Sequence, residues 1–197
     1  MLRLSFSERE SGWVREARHV RSPYCDERPR SGMPPSMIVM HAISLPAGQF
    51  GGGDVERLFA VGLDETVHET YASLRDLQVS AHFFVRRTGA LLQFVSTERR
   101  AWHAGVSTWQ GRPRCNDFSI GIELEGTDHD PFEEGQYQTL GALLALLVER
   151  YPIRVVTGHS DVAPGRKTDP GPYFDWERWR ALGYPVARQE PKKAHTG

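Results

Sequence analysis

Eight histidines stand in the chain, at positions 19, 41, 68, 82, 103, 129, 159 and 195, and two differ from the rest by their setting. His41 falls inside the apolar run MIVMHAI at 37–43, and His159 follows the short apolar segment at 154–157 almost directly. Both therefore lie at predicted strand ends, where α/β sheets gather their ligands. The loop after His159 reads SDVAPGRKTDPG and delivers Asp169, pinned by Pro170 and Gly171. Two imidazoles and one carboxylate suit zinc. The ion binds nitrogen and oxygen at about 2.0–2.2 Å, and three protein ligands leave a fourth position open for chemistry. An ion so held would acidify water and polarise a carbonyl. The spacing is not a compact pattern such as HExxH. On spacing alone, His41 is equally readable as a hydrogen-bonded core histidine and Asp169 as a turn former.

Other polar residues surround this candidate set. Lys167 precedes Asp169 by two positions, so in an extended segment both project to one side. An ammonium there would stabilise an oxyanion, although Lys167 and Arg166 equally suit a solvated loop. In the stretch FSIGIELE at 118–125, Ile120, Ile122 and Leu124 point one way. Ser119, Gly121, Glu123 and Glu125 point the other. One carboxylate above the metal would serve as proton carrier, and alternation does not choose between Glu123 and Glu125. Trp102, His103 and Gly105 form a W-H-A-G element that suits stacking on a sugar, or else closes a small surface core. Arg112 and Arg114 could grip a carboxylate in bidentate fashion or be ordinary surface charge. The glycines at 51–53 are no phosphate loop, because no Lys-Ser/Thr follows them.

The elements that must position these residues follow from periodicity. Residues 37–43 predict a buried strand. Asp54 is placed to cap a short helix through Leu58, and a second helical stretch is expected over 65–77. Residues 81–87 and 91–95 predict paired strands around the turn 87–90, and 98–117 predict mostly loop. A strand over 118–125 precedes the best helix, 134–151. There Tyr137, Leu140, Leu144, Leu147 and Tyr151 share one face, and Glu133 and Glu134 favour the start. A short strand over 154–157, a loop over 158–173 and a last helix capped by Asp175 complete the series. The pattern predicts one α/β domain, a central mixed β-sheet flanked by helices, over 15–184. An N-terminal arm (1–14) and a loose C-terminal tail (185–197) are expected on either side.

Composition narrows the classes. The chain has 197 residues, 39% of them hydrophobic and 25% charged, which suits a globular domain with a core. A formal charge of -1 gives no basic excess for wrapping nucleic acid. The longest apolar run, 142–148, is too short to span a membrane. The N-terminus carries charges where a signal peptide needs an apolar run. Cys25 and Cys115 make no disulfide framework. A cytoplasmic monomer is expected.

Four separated blocks resemble one family. They are VMHAISLPAGQFGGG (39–53), SAHFFVRRTGALLQFV (80–95), RAWHAGVSTWQGRPRCNDFSIGIELEGTD (100–128) and TGHSDVAPGRKTDPGPYFDW (157–176). Together they are similar to the AmpD-type N-acetylmuramoyl-L-alanine amidases, relatives of the phage amidase-type lysozymes and the peptidoglycan recognition proteins. The resemblance implies an amidase fold of that kind, with zinc held by His41, His159 and Asp169. It implies Glu123, rather than Glu125, as catalytic acid/base and Lys167 as transition-state stabiliser. It places Trp102, with His103 beside it, toward the anhydro-sugar, and Arg114 toward a stem-peptide carboxylate. The implied reaction is hydrolysis of the amide between the lactyl group of (1,6-anhydro-)N-acetylmuramic acid and L-alanine, in cytoplasmic cell-wall recycling. Loss of such an activity raises β-lactamase expression in relatives. Ala42 and Gln78 depart from the residues common in close relatives, Asn and Arg, and are expected to alter substrate contacts. A second possibility is a muropeptide-binding module without catalysis. Release of free peptide with and without a chelator separates the two.

Overall fold

The apolar runs on either side of Arg87-Thr88-Gly89-Ala90 pair as their alternation predicts. The computed structural model describes residues 2–29, 34–64 and 66–189. In chain order the strands are β1 (Arg18–His19), β2 (Cys25–Glu27), β3 (Met37–Ile43), β4 (Phe83–Val85) and β5 (Leu91–Gln93). They continue with β6 (Arg99–Ala101), β7 (Thr108–Trp109), β8 (Arg112–Pro113), β9 (Ser119–Glu125) and β10 (Val155–Gly158). The helices are α1 (Asp54–Ala60), α2 (Glu134–Arg150), α3 (His159–Val162) and α4 (Trp176–Ala181). Six strands make one mixed sheet in the order β1-β5-β4-β9-β3-β10, with β4 and β5 antiparallel and the other neighbours parallel. The fold is a single α/β domain with helices packed against that sheet.

Helix α2 covers one face of the sheet. Its Tyr137, Leu140, Leu143, Leu144 and Leu147 pack with Ile38, Met40, Ile120, Ile122 and Leu124. Each such side chain, fully buried, stabilises by about 1.5–3 kcal/mol. A helix cap contributes about 1 kcal/mol, so the apolar stripe decides where α2 lies. Gln136 then sets its height: the amide nitrogen donates to the carbonyls of Val85 and Glu125 at 3.2 and 3.1 Å. On the other face, Val55, Leu58 and Phe59 of α1 pack with Phe84, Leu92 and Phe94.

Register positions the candidate chemistry. His41 of β3 is paired with Glu123 of β9, and Met40 with Gly158 of β10. His159 is therefore level with His41. Parallel strands put all three residues at one end of the sheet, the C-terminal end where such sheets bind ligands.

Several expectations need correction. Asp54 is the first helical residue rather than the cap of α1, which is Gly53; its carboxylate takes the Tyr71 hydroxyl at 2.9 Å instead. The second helical stretch shortens to a 3-10 helix, Glu69–Leu74. The segment 98–117 is not mostly loop. It holds β6, the β7–β8 hairpin and a 3-10 turn, Cys115–Phe118. The loop at 158–173 begins with α3. The tail is docked as far as 189: Ala187 N–H donates to the Val156 carbonyl at 3.1 Å. Buried Asp161 of α3 accepts from the Arg188 guanidinium at 2.5 Å and from Gln189 N–H at 3.0 Å. The N-terminal arm also joins the core through Leu4, Phe6 and fully buried Val14. Residues 30–33, Glu65 and the tail from 190, which includes His195, lie outside the described residues. Cys25 and Cys115 are both free. Among the described residues, no helix is long and apolar enough to cross a membrane.

Candidate metal centre

Three ligand atoms from three segments converge. His41 Nδ1 lies 3.0 Å from His159 Nδ1, and each lies close to Asp169 Oδ2, at 3.2 and 3.1 Å. Both imidazoles are buried, and the carboxylate is mostly so. Asp169 is returned to α3 by its own backbone, whose carbonyl accepts Ser160 N–H at 2.9 Å. Of the described residues, these three form the group able to hold a metal ion. Tetrahedral zinc with bonds of about 2.0–2.1 Å separates its ligand atoms by about 3.3 Å, close to the spacing found. The donor chemistry fits as well. His159 Nε2 lies 3.2 Å from the Ala104 carbonyl, which can only accept. The ring's hydrogen is therefore on Nε2, and Nδ1 turns its lone pair toward the carboxylate and the His41 ring. A cation resolves that meeting of acceptors.

Burial and charge set the protonation states. Burial, then the facing His159 ring, pushes His41 down to about 4, so it is neutral near pH 7. Burial opposes ionisation of Asp169, but the facing His159 and His41 imidazoles outweigh it and hold its carboxyl well below the usual carboxylate range. Glu123 behaves oppositely. Burial, reinforced by the Asp169 charge and only partly offset by Lys167, raises its carboxyl well above the ordinary value. Its Oε1 stands 3.9 Å from His41 Nδ1, and its buried Oε2 has no hydrogen-bond partner. A carboxylate desolvated beside a metal set, with one oxygen uncommitted, is equipped to carry a proton. Glu125 is committed elsewhere: its oxygens take Gly51 N–H at 2.6 Å and Arg87 N–H at 3.0 Å.

Lys167 is exposed and lines, with Asp169, Arg166 and Asp128, an open groove of about 670 Å³ that leads to the centre. The remaining predicted site residues are placed differently. Trp102 is half-buried, with its indole N–H donating to Asp26 at 3.2 Å. Arg114 is exposed and paired with Asp117 at 3.1 Å. Neither lines the groove. His103 does not face outward at all. It is buried behind His41, its Nδ1 2.9 Å from His41 Nε2 and its Nε2 3.1 Å from the Ser119 hydroxyl. Sequence reasoning passed over Ser119 and Asn116, whose Oδ1 accepts the backbone N–H groups of both His103 and Ala104 at 3.2 and 2.8 Å. The signal available was the place of Ser119 on the Glu123 face of β9.

The buried rings predict acid lability. His82 is pushed down to about 3 by burial and then by the nearby Arg28 charge, against about 6.5 in an unfolded chain. The folded-state value is depressed, so below about 6.5 the unfolded chain binds a proton that the folded chain does not. The contribution is whole above that pH and is lost as the pH falls toward about 3. From pH 7 to pH 5 His82 alone accounts for about 2 kcal/mol. Denaturant unfolding at the two values checks it, and a flat profile contradicts it.

Comparison with known proteins gives a consistent picture. Residues 31–172 match the protein family described as N-acetylmuramoyl-L-alanine amidase. The chain is 51% identical to the 1,6-anhydro-N-acetylmuramyl-L-alanine amidase AmpD of Citrobacter freundii over 183 residues, 92% of this chain and 97% of that one. A crystal structure of a selenomethionine AmpD derivative superposes with a TM-score of 0.85 at 52% identity, covering 92% of this chain and 99% of the other. The amidase AmiD of E. coli, solved with anhydro-N-acetylmuramic acid-L-Ala-D-gamma-Glu-L-Lys, gives a TM-score of 0.58 at 30% identity, over 91% of this chain and 65% of that one.

Proposed function

Because the chain belongs to the N-acetylmuramoyl-L-alanine amidase family, we propose that its groove binds a 1,6-anhydro-N-acetylmuramyl peptide and that the centre at its end hydrolyses the amide to L-alanine. The enzyme is a 1,6-anhydro-N-acetylmuramyl-L-alanine amidase. The observation that carries the site assignment is the convergence of His41, His159 and Asp169 beside the uncommitted carboxylate oxygen of Glu123. The trio would hold Zn²⁺, which when bound supplies Lewis-acid polarisation of the scissile carbonyl and acidification of water. Glu123 takes the proton from the attacking water at its free Oε2 and returns it to the departing alanine nitrogen. The raised affinity of this carboxyl for protons suits the second step. Lys167, exposed at the groove wall, places its ammonium against the oxygen that becomes negative as the carbonyl is attacked. Trp102 and Arg114, which stand outside the lining of the groove, are the proposed contacts to sugar and stem peptide.

The kinship supports a cytoplasmic, recycling role, and the presence of metal-ligating and proton-carrying side chains favours an enzyme over a binding module. Peptide release from 1,6-anhydro-muropeptide, compared with polymeric wall and repeated with a chelator, tests the function. Free peptide from the small substrate, abolished by chelation and restored by Zn²⁺, is expected. Chelator-resistant release would remove the metal, and cell fractionation checks the compartment.

A further inference from the structure

Behind the metal trio runs a chain of hydrogen bonds whose direction is fixed at one end. The Cys115 carbonyl can only accept, so the Ser119 hydroxyl, 2.6 Å away, donates to it. That commits the one hydroxyl proton. Toward His103 Nε2, at 3.1 Å, Ser119 can then only accept, and Nε2 must carry the ring's hydrogen. His103 is buried, and among the described residues its two ring nitrogens meet His41 and Ser119 rather than a carboxylate. A neutral ring protonated on Nε2 has its lone pair on Nδ1, and Nδ1 faces His41 Nε2 at 2.9 Å. His41 is thereby made to donate from Nε2 and left with its lone pair on Nδ1, the atom that meets His159 and Asp169. The next residue does the same for the other imidazole, since the Ala104 carbonyl accepts from His159 Nε2. Asn116 holds this dipeptide by both its N–H groups. Gly121 makes room for it: a Cβ there would stand 2.4 Å from the His103 ring.

We infer that His103 is a positioning residue, which with Ser119 and Ala104 fixes the tautomers of both imidazole ligands, rather than a contact to the sugar. The inference rests on the metal-site reading above. Hydrogen-bond partners of this kind hold a ligand ring in orientation and are worth about 10–100-fold in metal affinity.

Chelator competition measures Zn²⁺ affinity in the wild type, His103→Phe and Ser119→Ala, with kcat and KM for 1,6-anhydro-muropeptide taken at saturating Zn²⁺. His103→Phe is expected to weaken Zn²⁺ by about 10–100-fold with KM unchanged, and Ser119→Ala to weaken it less. In the zinc-loaded wild type, nitrogen NMR should find the hydrogens of His41, His103 and His159 on Nε2, a readout that needs no variant to fold. Unchanged affinity in His103→Phe with a raised KM would give His103 to the substrate and overturn the inference. A hydrogen on His103 Nδ1 would do the same. A wild type that binds no metal would overturn the metal-site reading as well, so the two failures are distinct.

Discussion

Glu123→Gln keeps the metal and lowers kcat by about 100- to 10,000-fold, the range that a positioned acid/base group supplies. Glutamine fills the same space but cannot shuttle a proton. The metal should stay because the carboxylate stands beside the three converging atoms and is not one of them: Oε1 is 3.9 Å from His41 Nδ1, against 3.0–3.2 Å within the trio. Zinc content and single-turnover rates on 1,6-anhydro-muropeptide, measured on one preparation, give the answer. Full turnover in Glu123→Gln would remove the assigned role. Glu125→Gln is the control. Its carboxylate ties Gly51 and Arg87 to the strand, so that change should cost stability and spare the chemical step.

Asp169→Ala is expected to strip the metal. It removes the only charged ligand and leaves two neutral imidazoles. The loss of affinity should exceed the roughly 10–100-fold caused by losing an outer hydrogen-bond partner, and turnover should fall with occupancy. The protein should still fold, since Asp169 is held by its backbone bond to Ser160 as well as by its side chain. Metal analysis after dialysis, beside a thermal melt, tests both points. Stoichiometric zinc in Asp169→Ala would contradict the ligand set.

Much of this centre was legible before any coordinates, for reasons that differ by residue. His41 was marked by its place in an apolar strand, where an imidazole needs a reason to be buried. Glu123 was marked by alternation, but alternation gives a face and not a height. Only the pairing of β3 with β9 sets it against His41 and leaves Glu125 two residues further on, beside the turn. His103 was misplaced because adjacency to a tryptophan in a polar loop says nothing about which way the loop folds. The inward turn is dictated by Asn116 and by the missing side chain at Gly121, contacts made across 13 and 18 positions of sequence. Short elements such as the β7–β8 hairpin and α3 escaped notice because they bury too little apolar surface to leave a periodic trace. The strong stripe of α2, by contrast, placed five core residues correctly.

The docked tail ties the end of the described chain to the helix that opens with His159. Asp161 is only 2% exposed, and its cationic partner, Arg188, comes from beyond the last helix. Without Arg188, Asp161 would keep only the Thr157 hydroxyl, Gly158 N–H and Gln189 N–H as partners and lose its counter-charge, which costs stability. That burden would fall on the four-residue helix that opens with His159. Trimming or crowding near the carboxyl end, far from the groove along the sequence, would therefore be felt as a loosened imidazole at its centre.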